Sequence, residues 1–330
     1  MKGRLERYLT GLWYSQRRVP LWLRALVPVY RAVAASRWRP SHERPPCPVI
    51  VVGNITVGGS GKTPVVAALA RLLAQAGHAP AVISRGYGGR NGDEPRAVTP
   101  SSDPESVGDE PVLLARRAGC AVWVCRDRRA ALDAARSGGA DVVLSDDGLQ
   151  HPRLPRSYEI CVVDGLRGLG NGRLLPAGPL RQPVDRLDSV DQVLVKQAAG
   201  EAAEYRAAAT PFAVAPGRPY LLGGGRSDDT FPAQAEFDAV CAIGNPDSFF
   251  ALLEALGYRF RARAFPDHHA FAANDFKAME GPLLVTEKDA VKLERLAGLP
   301  RTWVLPIEAR LPEPVRVAVL AHVREFLRHE

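Results

Sequence analysis

Val49-Ile-Val-Val-Gly-Asn-Ile-Thr-Val-Gly-Gly-Ser-Gly-Lys-Thr63 opens as a short, apolar, β-branched run and turns at once into a glycine-rich loop. The first half has the pattern of a buried parallel strand. The second half departs from the strict phosphate-loop pattern only in carrying Thr56 where that pattern has its first glycine. In such a loop Gly58, Gly59 and Gly61 let backbone N–H groups converge on phosphate oxygens, beside Thr56, Val57 and Ser60. Lys62 reaches the β- and γ-phosphates and the Thr63 hydroxyl can hold Mg²⁺. Residues 64–76 then read as a helix, closed by Gly77. The unit is strand, loop, helix.

Outward from this unit the alternation continues. Residues 81–84, 121–125, 142–145, 160–164 and 193–195 are strand-like, with helical stretches at 111–118 and 130–137 between some of them. This predicts an α/β fold of the P-loop NTPase type, a mostly parallel sheet covered by helices. Beyond about residue 205 the alternation restarts on a smaller scale, with strands near 239–243, 258–265, 283–286 and 303–306 and helices at 246–256 and 314–328. The expected division is a segment at 1–44, a kinase-sized domain at 45–210 and a smaller α/β domain at 211–330. Phe212-Ala-Val-Ala-Pro-Gly-Arg-Pro219 reads as the linker, and the last helix as able to pack back on the first domain.

The chain of 330 residues carries a formal charge of +7, with an excess of eight positive charges in residues 1–44, so the rest sums to −1. The near-neutral body argues against a nucleic-acid partner. In residues 1–44 basic side chains interleave with Leu9, Leu12, Trp13, Leu21, Trp22, Leu23, Leu26 and Tyr30, which suits an amphipathic helix on an anionic lipid surface. Arg24, Pro28 and Arg31 interrupt any membrane span, and Arg24 breaks the apolar centre that a signal peptide needs. A helix pair packed on the protein's own core is the other reading. The five scattered cysteines include no C-x-x-C pair and read as buried thiols.

Five further strings carry possible chemistry. Asp141-Val-Val-Leu-Ser-Asp-Asp-Gly-Leu-Gln-His151 is a strand ending in two carboxylates, and Asp146 or Asp147 fits a magnesium ligand, unless the pair only starts an Asp-Gly turn. Gly108-Asp-Glu-Pro111 places Asp109 and Glu110 before a helix, where they could simply cap it. Phe265-Pro-Asp-His-His269 is either a proton-handling group or a turn. Ser84-Arg-Gly-Tyr-Gly-Gly-Arg90 and Leu174-Leu-Pro-Ala-Gly-Pro-Leu-Arg181 read as constrained loops whose Arg and Tyr side chains can meet a phosphate or sugar.

In order, VGNITVGGSGKTP, SRGYGGR, GDEP, LSDDGLQH, LLPAGPLR and FPDHH resemble the tetraacyldisaccharide 4'-kinase family, the lipid A 4'-kinases of Gram-negative bacteria. The resemblance implies transfer of the ATP γ-phosphate to the 4'-hydroxyl of a tetraacyldisaccharide 1-phosphate. The cofactors it implies are ATP and Mg²⁺, and the place is the cytoplasmic face of the inner membrane, with the enzyme peripheral and monomeric. It further implies Asp109 as base, His268 as its partner, and Glu110 and Asp147 beside Thr63 at the metal. Asp146, Gln150, His151, Arg181 and Tyr87 would line the site. A partition-type ATPase is disfavoured because Val57 stands where that class has lysine, and Thr286-Glu-Lys-Asp289 misplaces the lysine of a guanine-reading motif. A nucleotide-switched membrane scaffold would need the loop but no base.

Overall fold

The computed structural model describes residues 2–15, 17–90, 92–197, 209–224, 230–279 and 281–329. Two helices, α1 (Lys2–Trp13) and α2 (Leu21–Arg37), precede β1 (Val49–Gly53) and α3 (Lys62–Gln75). The chain continues through β2 (Pro80–Ser84), β3 (Arg96–Val98), α4 (Pro104–Val107), α5 (Asp109–Arg117), β4 (Ala121–Val124) and α6 (Arg128–Ser137). Next come β5 (Val142–Asp146), β6 (Tyr158–Asp164), β7 (Gln192–Lys196) and β8 (Ala209–Pro216). The remainder is β9 (Tyr220–Leu221), β10 (Phe237–Cys241), α7 (Pro246–Ala255), β11 (Phe260–Ala264), β12 (Leu283–Thr286), α8 (Glu287–Leu293), β13 (Thr302–Leu305), β14 (Ile307–Arg310) and α9 (Glu313–Arg328).

Among the described residues the strands form a nine-stranded sheet, β14-β8-β7-β6-β1-β5-β2-β4-β3, and a five-stranded sheet, β11-β10-β12-β13-β9. In the larger sheet β3 and β14 run antiparallel at the two edges, and the neighbouring pairs between are parallel. Parallel strands deliver their C-terminal loops to one edge. With Val52 opposite Asp146 and Ile83 opposite Ser145, the loops after β1, β5 and β2 therefore emerge side by side. The site's position follows from that register.

Apolar residues of β1, β5 and β6 alternate between two cores. Ile50 and Val52 pack with Val65, Leu69 and Leu73 of α3, while Val49 and Val51 pack with Leu132 and Ala135 of α6. Val315, Val319 and Val323 of α9 join the α3 side, so the last helix packs on the larger sheet's core.

One expectation is corrected. The stretch read as a linker at 212–219 is mostly strand: β8 pairs with β7 from Val193 opposite Ala209 to Lys196 opposite Phe212, and antiparallel with β14. The expected boundary at 210/211 thus falls inside β8. Pro211 and Pro216 punctuate the sequence, which masks a strand whose Phe212 is buried against the α3 core. The units are joined twice, through Gly217, whose N–H donates to the Pro306 carbonyl at 2.8 Å, and through the Pro306 segment itself.

The N-terminal helices also make a core of their own. Leu12 and Leu23 are buried with Ala177, and Trp13 Nε1 donates to the Pro176 carbonyl at 3.0 Å. The opposite side of α2 leaves Leu21, Trp22, Leu26, Val29 and Val33 exposed. One face of this segment therefore packs on the protein's own core, and the other leaves apolar side chains exposed. No helix among the described residues is long and apolar enough to cross a membrane.

Candidate active site

The turn after β1 needs left-handed backbone at Gly58 and Gly61, with φ of 97° and 88°, which an L side chain adopts only with strain. α3 then starts at Lys62, so the loop lies at a helix N-terminus. Lys62 Nζ donates to Asn54 Oδ1 at 3.2 Å and lies 3.5 Å from Asp147 Oδ1. Asn54 Nδ2 donates to Thr56 Oγ1 at 3.3 Å, and Val57 N–H to the Pro179 carbonyl at 2.9 Å. The LLPAGPLR loop consequently runs beside the phosphate loop, and Arg181 forks onto Asp147 with bonds of 3.1 and 2.9 Å.

The two carboxylates ending β5 differ sharply. Asp147, at φ 50°, is half-buried; its partial loss of water opposes ionisation, yet Lys62 and Arg181 outweigh that and hold its carboxyl far below the usual range. Asp146 is 1% exposed and one of its oxygens has no partner. Burial, with Glu110 adding like charge, pushes it up to about 7. Buried Arg128 donates to the Asp146 backbone carbonyl at 2.7 Å. Gln150 bridges the Asn54 carbonyl at 2.8 Å and Gln182 at 2.9 Å. His151 is pushed down to about 4 by burial and then by Arg128 and Arg85, so its ring is neutral at pH 7.

Across the cavity, Asp109 opens α5. Gly108 before it has φ 95°, and a Cβ there would stand 2.7 Å from the Tyr87 carbonyl, so the start of α5 is pressed onto the SRGYGGR turn. Asp109 Oδ1 accepts the Glu110 N–H at 2.9 Å; Gly108 is the N-cap of α5 and no side chain caps it, so the two acids stand in the first turn without capping it. The other Asp109 oxygen lies 3.2 Å from Nδ1 of His268, which stands at φ 57° in the FPDHH turn. Burial opposes ionisation of Asp109, but the His268 bond and Lys288 together lower its pKa. Burial likewise opposes the His268 cation, and the Asp109 bond raises it overall. The exposed Tyr87 ring lies 5.1 Å from that of His268.

Sequence reasoning missed Asn54 and Lys288. Lys288 Nζ lies 3.0 Å from Glu110, 3.3 Å from Asp267 and 3.4 Å from His268 Nε2. Its string, Thr286-Glu-Lys-Asp289, was weighed only as a guanine-reading motif. Buried Asp289 instead accepts the Ala242 N–H at 3.0 Å, leaving Lys288 turned to the cavity. His269 bonds Asp275 at 3.0 Å.

A cavity of about 1080 Å³ is lined by the phosphate loop from Val57 to Thr63 and by Tyr87, Glu110, Asp146, Asp147, Gln150, His151, Arg181, His268 and Lys288. Asp109 stands behind this wall, in contact with it through His268. Cations and a phosphate-type loop in one cavity with an acid–imidazole pair suit the transfer of an anionic group to a hydroxyl.

The sequence model of the tetraacyldisaccharide-1-P 4'-kinase family matches residues 19–324. The chain belongs to that family. The tetraacyldisaccharide 4'-kinase of Alkalilimnicola ehrlichii is 49% identical over 93% of each chain, and that of Alcanivorax borkumensis 47% identical over 94% of this chain and 95% of its own. The kinase is also similar in structure to LpxK from Aquifex aeolicus, solved in complex with ATP, with a TM-score of 0.69 and 25% identity over 97% of this chain and 99% of that one. It is an ATP-dependent enzyme of α/β fold, as its motif order implied.

Proposed function

We propose that the kinase transfers the γ-phosphate of ATP to the 4'-hydroxyl of a tetraacyldisaccharide 1-phosphate, giving lipid IVA, at the cytoplasmic face of the bacterial inner membrane. The observation that carries this reading is the cavity with Lys62, Asp147 and Arg181 on one side and His268, bonded to Asp109, on the other. The phosphate loop cradles the triphosphate, and Lys62 neutralises charge that grows on the transferring group. Asp109, paired with His268, is the base that takes the hydroxyl proton, because an alcohol does not release it unaided. Gln150, His151, Arg181 and Tyr87 orient the acceptor, while Asp146 and Arg128 brace the loop after β5.

The donor set fits Mg²⁺. Among the described residues no three His, Cys, Asp or Glu side chains form a metal cage, but this ion takes only one or two carboxylates beside phosphate oxygens and water. Thr63, Glu110 and Asp147 would hold it, next to the unpaired Asp146 oxygen. When bound it would supply charge neutralisation for the transferring phosphate.

The test of the reaction follows label from γ-labelled ATP. Its appearance in a chloroform-soluble 4'-phosphorylated disaccharide supports the reading; label only in free phosphate supports a nucleotide-switched ATPase.

The exposed side of α2 supports membrane association, since Leu21, at 76% exposure, and Trp22, at 59%, stand beside exposed Arg24. Each such side chain contributes about 1.5–3 kcal/mol when removed from water. The double variant Leu21→Glu/Trp22→Glu is therefore expected to lose about 100-fold or more in partitioning onto anionic phospholipid vesicles, read by co-sedimentation. Unchanged partitioning would remove this face from the membrane contact.

A further inference from the structure

We infer that the smaller unit contributes a second phosphate-binding element, Asn245 with the first turn of α7, which holds the polyphosphate tail of the nucleotide from beside the phosphate loop. The nucleotide's identity rests on the kinase reading above; the element itself rests on the following geometry.

The turn Gly244-Asn245-Pro246 lies directly on the phosphate loop. A Cβ on Gly244 would come within 2.6 Å of the Gly59 backbone nitrogen, and one on Gly59 would stand 3.7 Å from the Asn245 nitrogen. Asparagine at a helix N-cap ordinarily turns its side-chain oxygen onto a first-turn N–H. Asn245 is the N-cap of α7 and makes no such bond. It is 3% exposed, and neither Oδ1 nor Nδ2 has a partner. In the phosphate loop the Ser60 hydroxyl is 2% exposed and equally without a partner. Both residues line the central cavity. Buried polar groups in folded proteins are nearly always satisfied, so two unsatisfied ones converging on a cavity point to a partner that enters it.

The charge around them selects an anion rich in acceptors. The start of a helix carries partial positive charge, and Asn245 Nδ2 and the Ser60 hydroxyl add donors. Lys196 approaches from below, with Nζ 2.8 Å from Ser248 Oγ in that first turn. The acids nearby are paired: Asp247 with Arg167 at 3.1 Å, and Asp164 with Lys196 itself at 2.6 Å, so the helix start and the Asn245 and Ser60 donors, rather than the lysine charge, carry the preference for an anion. Arg167 also donates to the Gly244 carbonyl at 2.7 Å, fixing the turn over the loop. A phosphate could come from the nucleotide or from the acceptor's own 1-phosphate. Contact with Gly58 and Gly59 favours the nucleotide.

Asn245→Leu keeps roughly the side-chain volume and removes the amide. In the full chain, ATP affinity measured by calorimetry without acceptor is expected to fall about tenfold or more, the size of one hydrogen bond to a charged group. AMP affinity is expected to stay unchanged, and the KM for acceptor likewise. Because no bond is lost in the unliganded protein, its melting temperature should hold or rise. Asn245→Asp places a negative charge against phosphate and should weaken ATP more than leucine does. Equal losses for ATP and AMP, a lower unliganded melting temperature, an unchanged ATP affinity or a selective rise in the acceptor KM would each overturn the assignment. If wild-type enzyme binds ATP but labels no lipid, the kinase reading fails while the Asn245 result stands.

Discussion

Alanine at Asp109 is expected to lower kcat about 10²- to 10⁴-fold, the range typical of a lost general base, while the KM for ATP changes little. The separation follows from position. Asp109 bonds His268 and the start of α5, whereas the loop proposed to meet the nucleotide phosphates is the one after β1. His268→Ala is expected to cost less, because the imidazole holds the carboxylate rather than replacing it, and the double variant should lose little beyond Asp109→Ala. A larger loss for His268→Ala than for Asp109→Ala in steady-state kinetics would reverse the two roles.

The same pair links the two units, and its pH dependence has a definite sign. Asp109 is lowered from 3.8, so its contribution to stability is present above that pH and is lost as pH falls through the folded value. His268 is raised from 6.5, so its contribution is present below that pH and lost as pH rises through its folded value. The melting-temperature deficit of His268→Ala should therefore be greatest near about pH 5 and shrink in alkali.

Local features of this site were legible in sequence and distant ones were not. The strand, loop and helix around Lys62 could be read directly because burial, glycine placement and helix start lie within 15 consecutive residues. Asp146 and Asp147 were legible as a strand end, since parallel strands share an edge. The Asp109–His268 contact spans 159 positions, and residue patterns alone left both GDEP and FPDHH open to capping or turn readings. Only the family resemblance paired them. Lys288 was hidden because its string has a local use: Thr286 caps α8 and accepts the Asp289 N–H at 3.2 Å, which says nothing of a cavity. Asn245 was hidden for the opposite reason, since an Asn-Pro helix start has a sufficient local explanation that the structure does not use. β8 was obscured by its prolines, because partner strands, not propensity, make it a strand.

Lys62→Ala carries the other large expected effect, a fall in kcat/KM of about 10²–10³-fold, by analogy with losing one preorganised donor at a charge-bearing transition state. The comparison with Arg181 separates charge from architecture. Both cations reach Asp147, Lys62 at 3.5 Å and Arg181 at 2.9 Å, but only Lys62 starts a helix at the glycine loop. Removing Lys62 leaves Asp147 bonded to Arg181, so the loop after β5 keeps its anchor and the melting temperature should change little. Removing Arg181 takes away the two-pronged bond and the contact to the Asn54 carbonyl at 3.1 Å, so Arg181→Ala should lower both stability and activity. Lysine fails to substitute there, since an ammonium cannot form the fork. Thermal denaturation with single-turnover label transfer reads both quantities. If Lys62→Ala instead unfolded the protein as readily as Arg181→Ala, its role would lie in holding Asp147, and the neutralisation of charge on the transferring phosphate would have to be assigned elsewhere in the cavity.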